Sequence, residues 1–359
     1  ARWKRHLAET YFAIDPRRLG LFRIGFGLVL LIDLVRRWRS LPFFYTNDGL
    51  LPNHTILWRP PAQHNFSLFF TVSTEAEAQV AFVLCALVYL AFLFGYRTRL
   101  MQWLAVICRV SLNSRLAVLE NGGDMVVNLL ALFTLALPLG QRFSLDALLA
   151  AARAPAPLPD ASDDAAKGAS REDRNAPVFS LAVFGLLLQF GLIYFFNAVS
   201  KSGPSWRTGT SVHYALHQDK LVTSFGVWMR ETLSLPQLKF LAHSTLVVEW
   251  AAPVLILTPI FVTQARLLAV CTLPFLHAGF ALGLNLGGFT PAMMSFYPLL
   301  LSAKHWNAAP RALRRWHAEW TERAVTVLRA RLGPAVSPAS AAPPRRLRRS
   351  PPGMKSPSR

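Results

Sequence analysis

Three ionisable side chains lie in or beside long apolar runs of this sequence. Glu249 is the tenth residue of the 22-residue run 240–261, and His277 lies near the middle of the run 267–286. Lys201 directly follows a third run that ends near residue 199. A charged side chain at the centre of a bilayer costs about 2.5–3.5 kcal/mol on insertion scales, so such groups face a protein interior. A carboxylate, an imidazole and an amine in one interior predict proton-transfer chemistry.

Each of these residues also has a structural interpretation. Lys201 either acts as a base or nucleophile at the edge of a desolvated cavity, or anchors the end of its span at the membrane interface. Glu249 and His277 either pair across neighbouring helices or line a cavity. Pro253 and Pro274 favour the cavity, because kinked helices open space inside a bundle.

A second group of candidates lies between the apolar runs. His213 and His217 share one face of any helix that contains them, with Tyr214 beside them. They either bind a metal with Glu249 and His277 completing four ligands, or form a hydrogen-bonded network. Two histidines do not make a metal site, so we predict the network and no metal. The cysteines Cys85, Cys108 and Cys271 lack metal-ligand spacing and are interpreted as small buried hydrophobes.

The composition predicts a polytopic membrane protein. The 359-residue chain is 53% hydrophobic and only 16% charged, against about 25% charged residues in a soluble domain. Runs of about 20 apolar residues cross a bilayer as helices. We predict an all-α bundle of about eight transmembrane helices over residues 19–35, 78–94, 100–119, 125–139, 178–199, 240–261, 267–286 and 289–303.

The positive charge predicts orientation and lipid contact. Of the formal net charge of +19, the last 56 residues carry +11. Basic segments remain on the cytoplasmic side of a membrane, which places both termini there, and basic tails attract anionic lipid. The run Arg36-Arg37-Trp38-Arg39 disagrees with this orientation, because it would lie outside. We predict a bacterial inner membrane protein that does not bind nucleic acid.

The chain divides into a membrane domain and basic flanks. We predict a basic N-terminal segment (1–18), a transmembrane domain (19–303) with a flexible cytoplasmic linker (140–177), a basic amphipathic segment (304–336) and a disordered Arg/Pro-rich tail (337–359). Within the basic segment, apolar residues at helical spacing indicate a helix, which either lies on the inner membrane surface or is an ordinary solvated helix.

Tight turns and amides complete the candidate residues. Asn121-Gly122-Gly123-Asp124 predicts a structural turn, in which Asp124 caps the fourth span or pairs with Arg109 or Arg115. Motifs of soluble enzymes, such as a P-loop or a nucleophile elbow, do not occur in the sequence. The residues predicted to line a cavity or bind substrate are His213, Tyr214, His217, Asn197, Asn113 and Asn285.

Several segments, taken in order, resemble the horizontally transferred transmembrane domain family, which is related to the membrane domain of the vitamin K-dependent gamma-carboxylase. The resemblance covers residues 19–303. Its marks are Phe44-Tyr45-Thr46-Asn47-Asp48-Gly49-Leu50-Leu51-Pro52, Gly95-Tyr96-Arg97-Thr98-Arg99, Asn121-Gly122-Gly123-Asp124, Tyr194-Phe195 through Lys201 with Trp206, and then Glu249, His277, Gly287 and Phe289.

The resemblance implies a reaction and roles. In the carboxylase a lysine at the position of Lys201 works with oxygen and reduced vitamin K, and a base derived from the quinol removes a gamma proton from glutamate before carbon dioxide adds. Relatives often carry a histidine where this chain has Asn113. Because the chain ends in a basic tail where the carboxylase has its peptide-handling domain, we expect related redox chemistry instead of glutamate carboxylation.

Three functions follow as hypotheses. The first is a membrane enzyme module that binds a reduced quinone or a lipid and performs carboxylase- or epoxidase-like redox chemistry, with Lys201, Glu249 and His277 as catalytic residues. The second is a non-catalytic membrane partner for export, maturation or immunity of a secreted peptide. The third is transport, for which the sequence shows no inverted repeat.

Overall fold

The computed structural model describes residues 2–58, 66–154, 176–302 and 311–332 and is mostly helical. Its elements in chain order are α1 (Arg2–Tyr11), β1 (Ala13–Ile14), α2 (Pro16–Trp38), α3 (Leu41–Phe44), α4 (Asn53–Leu57), α5 (Glu75–Phe94), α6 (Thr98–Arg115), α7 (Gly122–Thr134), α8 (Leu145–Arg153), β2 (Val178–Phe179), α9 (Leu181–Ser200), α10 (Pro204–Arg207), α11 (Ser211–Leu216), α12 (Ser224–Thr232), α13 (Leu235–Leu257), α14 (Val262–Gly283), α15 (Phe289–Phe296) and α16 (Arg311–Leu332). Short 3₁₀ turns occur at Leu68–Thr71, Ala117–Leu119 and Tyr297–Leu300.

Four helices are long and apolar enough to cross a bilayer. They are α5, α9, α13 and α14, with 20 to 23 residues each. At about 1.5 Å per residue they match a hydrocarbon core of about 30 Å. Their outward side chains are apolar and exposed, as Val80, Leu84 and Leu87 on α5 show. Exposed apolar faces of this length are typical of contact with lipid, and the chain is an integral membrane protein.

The other four predicted spans differ from these in length or polarity. Helix α2 contains the predicted first span but carries Arg23 and Asp33, and α6 contains Arg109 and Arg115. Helix α7 has 13 residues and α15 has eight, followed by the 3₁₀ turn Tyr297–Leu300. Thirteen residues extend about 20 Å, which is less than the hydrocarbon thickness. Among the described residues, four of the eight predicted spans therefore correspond to helices long and apolar enough to cross a membrane.

Several predicted segments are corrected at their ends. Val178 and Phe179 form β2 instead of starting the fifth span, and they pair antiparallel with Ile14 and Ala13. Helix α13 ends at Leu257, before the predicted end at residue 261, and α14 begins at Val262, five residues before the predicted start. Cys85 and Cys108 are buried as expected, but Cys271 is exposed.

One end of the bundle gathers most of the segments predicted to be cytoplasmic. The side chain of Asp146 in α8 accepts hydrogen bonds from the backbone of Arg97 and Thr98, at 2.8 and 2.7 Å. Arg23 donates to the carbonyl oxygen of Leu139 at 2.9 Å. The first part of the predicted flexible linker, 140–177, is therefore a structured segment containing α8. Residues 155–175 of that linker lie outside the described residues.

A buried cluster of four charges joins α2, α6 and α7. Arg109, 1% exposed, donates to Asp33 at 2.6 Å and to Asp124 at 2.7 Å. Arg37 donates to the same two carboxylates at 2.8 and 2.7 Å. Arg37 also reaches the hydroxyl of Tyr45 at 3.3 Å. Two arginines and two aspartates balance in charge, so this cluster explains why the predicted spans here tolerate ionisable residues.

Helix α16 covers the amphipathic segment predicted within 304–336. Arg329 donates to backbone carbonyl oxygens at the end of α8, including that of Ala151 at 3.1 Å. Trp316, Trp320 and Val327 lie on one exposed side, as a membrane-surface helix requires. The tail predicted to be disordered, 337–359, lies outside the described residues.

Candidate functional site

Lys201 and Glu249 meet where the end of α9 packs against the middle of α13. The ammonium of Lys201, the residue that directly follows α9, donates a hydrogen bond to Oε1 of Glu249 and forms a salt bridge with it. The side chain of Glu249 is 4% exposed and that of Lys201 is 17% exposed. A lysine that only anchors a span end would keep its ammonium in water. Here the ammonium is drawn inward to a buried carboxylate instead.

The chain after α9 folds back over the ion pair. Lys201 Nζ lies 5.1 Å from the centre of the Trp206 ring, so the ammonium also has a cation–π contact. Gly209 has a φ of +76°, and a Cβ there would lie 2.6 Å from the ring of His243 in α13. The glycine therefore permits a close approach of this loop to α13. Trp206 therefore covers the ammonium of Lys201, and the loop that contains Gly209 packs against α13.

His277 lies in a second polar group, with two tyrosines. Its Nε2 is 2.8 Å from the hydroxyl of Tyr194, which is 3.1 Å from the hydroxyl of Tyr297. All three side chains are buried, with His277 at 1% exposure. The ring of Phe289 lies 5.4 Å from the imidazole. Three hydrogen-bonding groups in series provide a path along which a proton can move.

The two polar groups belong to one interior. Tyr194 on α9 lies seven residues before Lys201, the residue that directly follows the helix, so the two lie on the same side about two turns apart. Lys201 is close enough to His277, and Glu249 close enough to Tyr194, for each charge to influence the other group electrostatically. Lys201 and Glu249 therefore pair directly, and His277 adjoins them through Tyr194.

Two buried atoms of this interior have no hydrogen-bond partner within the described part of the chain. They are Oε2 of Glu249 and Nδ1 of His277. An unsatisfied buried polar atom costs about 1–3 kcal/mol, so native proteins retain few of them without a reason. One oxygen that accepts and one ring nitrogen that donates or accepts can bind the hydroxyl or carbonyl of a small molecule.

The second group of predicted candidates lies apart from this interior. The rings of His213 and His217 are 4.3 Å apart, as their spacing predicts, and His217 Nδ1 lies 2.7 Å from the carbonyl oxygen of His213. Tyr214 is 59% exposed. In the described part of the chain, no three His, Cys, Asp or Glu side chains are grouped as metal ligands. The metal alternative, with four ligands from both groups, does not match this arrangement.

Each of the three candidate amides has a hydrogen-bond partner. Asn197 donates to the carbonyl oxygen of Ile193 at 2.8 Å, within its own helix. Asn113 donates to Glu120 at 2.9 Å, and Asn285 accepts from Arg36 of α2 at 3.3 Å. These bonds connect the amides to three different partners, and their role in lining a cavity stays a prediction.

The predicted turn 121–124 packs against Phe289, which contacts His277. Asn121 caps α7 by accepting from the backbone of Gly123 at 2.8 Å, while Asp124 accepts from the backbone N–H of Asn121 at 3.2 Å and pairs with Arg109. Asp124 thus takes part in both of the alternatives considered for it, although Asn121 is the capping residue. The backbone of Gly123 packs against Phe289, whose ring contacts His277.

The two glycines of this turn offer a matched test of that packing. A Cβ at Gly123 would lie 2.7 Å from the backbone nitrogen of Phe289, whereas a Cβ at Gly122 meets nothing within 4 Å. We expect Gly123→Ala to lower the free energy of unfolding by about 1–3 kcal/mol, because overpacking forces backbone shifts. Gly122→Ala should change it by less than about 1 kcal/mol. Thermal unfolding in detergent measures both, and equal effects would contradict the proposed close approach.

Sequence reasoning did not assign roles to Tyr194 and Tyr297. Both are tyrosines in apolar segments, and a buried tyrosine hydroxyl requires a hydrogen-bond partner. Tyr194 lies about two helical turns before Lys201, and this spacing could have identified it as a neighbour of the site. No such spacing identifies Tyr297, because it approaches His277 only through the tertiary fold.

Comparison with known protein families, with curated proteins and with solved structures finds no match for this chain. The chemistry of the site therefore follows from its own residues, namely a lysine–glutamate pair beside a histidine–tyrosine–tyrosine group within a helical membrane protein.

Proposed function

We propose that this protein is a membrane-embedded enzyme module that binds a quinone or a lipid between α9, α13 and α14 and transfers protons to and from it. The observation that carries the proposal is the pair of buried, unpartnered atoms, Oε2 of Glu249 and Nδ1 of His277, beside Lys201. The family resemblance stated above supports the same reading, since Lys201 aligns with the lysine of the carboxylase.

The residues present fit a quinone or quinol. A quinol hydroxyl donates a hydrogen bond to a carboxylate, and a quinone carbonyl accepts one from an imidazole N–H. Glu249 and His277 would hold the two polar groups, and the rings of Phe280 and Phe289 beside His277 would contact an apolar ring. A bound quinone would supply two-electron redox chemistry, which amino-acid side chains lack.

The lysine–glutamate pair provides the base. If the proton of the Lys201 ammonium passes to the Glu249 carboxylate, both groups become neutral and the amine can accept a proton from a substrate. A low-dielectric interior favours the neutral forms, because burial penalises charge. Tyr194 connects His277 to the same region, so the imidazole can receive or return a proton.

The setting of this enzyme is part of the proposal. It comprises eight transmembrane segments, with α2, α6, α7 and α15 crossing beside the four established helices, and both termini in the cytoplasm of a bacterium. Hydrogen bonds join several basic segments at one end of the bundle, namely residues 6–23, 95–99, 139–146 and 257–266. Their proximity supports a location on the same side of the membrane. The site would then open toward the outer half of the inner membrane.

The direct test is the bound ligand. Detergent-purified protein should carry a quinone or lipid that mass spectrometry detects after extraction, and Lys201→Ala should lower its occupancy at least tenfold, because the unpaired Glu249 then protonates and the site rearranges. Lys220→Ala is the control, since Lys220 is exposed outside the site. Recovery of wild-type protein without such a ligand would contradict the proposal.

One observation favours the second candidate, a non-catalytic membrane partner of a secreted peptide. Lys201 is already engaged by Glu249 and covered by Trp206, as a purely structural ion pair would be. In that case Lys201→Met combined with Glu249→Gln would preserve function, and changes in the loop containing His213 and Tyr214 would impair it. An enzyme would lose turnover in the double variant.

A further inference from the structure

Two buried arginines share one small space at the end of the bundle that contains β1 and the start of α14. Arg18 is 8% exposed and Arg266 is 6% exposed. The two side chains line the same cavity, whose other walls are apolar and are formed by Ala13, Ile14, Val183, Leu186, Leu187, Phe296 and Leu299. The charge of Arg266 acts unfavourably on Arg18. Two like charges are therefore buried beside each other.

Backbone carbonyl groups are the only hydrogen-bond acceptors that these arginines meet among the described residues. Arg18 Nη2 donates to the carbonyl oxygen of Leu299. Arg266 donates to the carbonyl oxygens of Ile256 and Thr10, at 3.3 and 3.1 Å. Arg18 Nε is buried and has no partner. Carbonyl dipoles satisfy part of the hydrogen-bonding capacity but do not neutralise either charge.

The acidic side chain beside Arg18 is that of Asp15, which bonds to Arg17. Asp15 acts electrostatically on Arg18, but both its carboxylate oxygens accept from Arg17 Nε at 3.0 Å. Asp15 Oδ1 also accepts from the backbone of Arg17 at 2.8 Å. Within the described ranges neither Arg18 nor Arg266 forms an ion pair. Asp15 therefore leaves the two buried charges unbalanced.

Two other buried arginines have a carboxylate as a partner or nearby, since Arg109 pairs with Asp33 and Asp124, and the carboxylate of Asp146 acts on Arg23. Arg115 is also buried without an ion pair among the described residues, and it donates to the carbonyl oxygen of Leu51. A buried charge without a counter-charge is costly, because desolvation is not offset by attraction. The Arg18–Arg266 pair differs from Arg115 because two positive charges line one cavity, with no ion pair to either among the described residues.

We propose that Arg18 and Arg266 together bind an anion. The cavity that they line has a volume of about 10 Å³, which is the size of about one water molecule. One anionic oxygen of a phosphate group has this size, and it is supplied either by free phosphate or by the headgroup of an anionic lipid. A chloride ion is larger and requires the walls of the cavity to move outward slightly. Guanidinium groups bind such oxygens with short, charge-assisted hydrogen bonds.

This anion site is separate from the proposed catalytic site. Val183 lies near the beginning of α9, whereas Lys201 directly follows its end, so a helix of 20 residues, about 30 Å, separates the two. The anion would fasten α2 to α14 at the end of the bundle where the basic segments gather.

The test is the melting temperature of the full chain in maltoside micelles, titrated separately with sodium chloride, sodium phosphate and phosphatidylglycerol. We expect a saturable rise in Tm of about 2–4 °C with at least one of them. A rise with chloride or phosphate identifies a free anion, and a rise with phosphatidylglycerol alone identifies a lipid headgroup. Arg18→Gln and Arg266→Gln should each abolish the saturable rise, whereas Arg23→Lys, a buried arginine outside the cavity, should retain it.

Two results would overturn the proposal. One is the absence of a saturable rise in the wild type with all three additives, which does not depend on any variant folding. The other concerns Arg266→Lys, which keeps the positive charge but not the planar fork, and for which we expect half-saturation at a concentration at least tenfold higher. Half-saturation equal to that of the wild type would exclude Arg266 as a ligand.

Discussion

Lys201→Met is expected to lower the free energy of unfolding by about 3–5 kcal/mol, which is the usual effect of removing one partner of a buried ion pair. The carboxylate of Glu249, 4% exposed, would lose its partner on Oε1 while Oε2 has none. Lys220→Met is the matched control, because Lys220 is exposed, and it should change stability by less than about 0.5 kcal/mol. Equilibrium unfolding in detergent, followed by circular dichroism, measures both variants.

The double variant separates pairing from burial. Lys201→Met with Glu249→Gln removes both charges, so it should be more stable than Lys201→Met alone. A positive coupling energy between the two positions would confirm that the contact between α9 and α13 depends on this pair. If the two single losses simply add, the coupling energy is zero and the ion pair makes no net contribution to the free energy of unfolding. That result would contradict the stabilising role of the contact between Lys201 and Glu249.

Arg109→Ala is expected to have a comparably large effect, about 3–5 kcal/mol, since it leaves two buried aspartates to share Arg37. Arg109 joins α6 to Asp33 of α2 and to Asp124 of α7. It also donates to Asn128 at 2.8 Å. The loss should therefore loosen three helices, and limited proteolysis of the connection between α6 and α7 should be accelerated along with unfolding.

Arg36→Ala is the control for this prediction. Arg36 lies next to Arg37 but is exposed, and its side chain donates to Oδ1 of Asn285 at 3.3 Å. Its removal should cost less than about 0.5 kcal/mol. An Arg109→Ala protein as stable as the wild type would show that the four charges do not hold the helices together.

The cluster also reduces an inconsistency in the charge pattern. With both termini in the cytoplasm, the run Arg36-Arg37-Trp38-Arg39 would lie outside, against the positive-inside rule. Arg37 is paired with Asp33 and Asp124 and is not a free positive charge. Arg36 and Arg39 remain exposed, so the orientation stays a prediction.

The long helices could be predicted from the sequence because the length of an apolar run is a local property. Helices α5, α9, α13 and α14 coincide with four predicted runs, apart from ends that differ by a few residues. Their ends depend on caps such as Thr74 and Ser180, whose side chains accept from nearby backbone N–H groups. The shorter elements around α7 and α15 could not be classified in this way, since runs of 8 to 13 residues fit several environments.

Residue types and spacing also brought attention to Lys201, Glu249 and His277 as groups that need partners. Residue types and apolar run lengths were sufficient to predict a helical membrane protein with these ionisable groups in its interior. The contacts of Lys201 with Glu249, 48 positions later, and of His277 with Tyr194 arise from the packing of the helices. Spacing along one helix cannot predict such contacts, because they depend on how α9, α13 and α14 rotate and slide as their apolar faces pack.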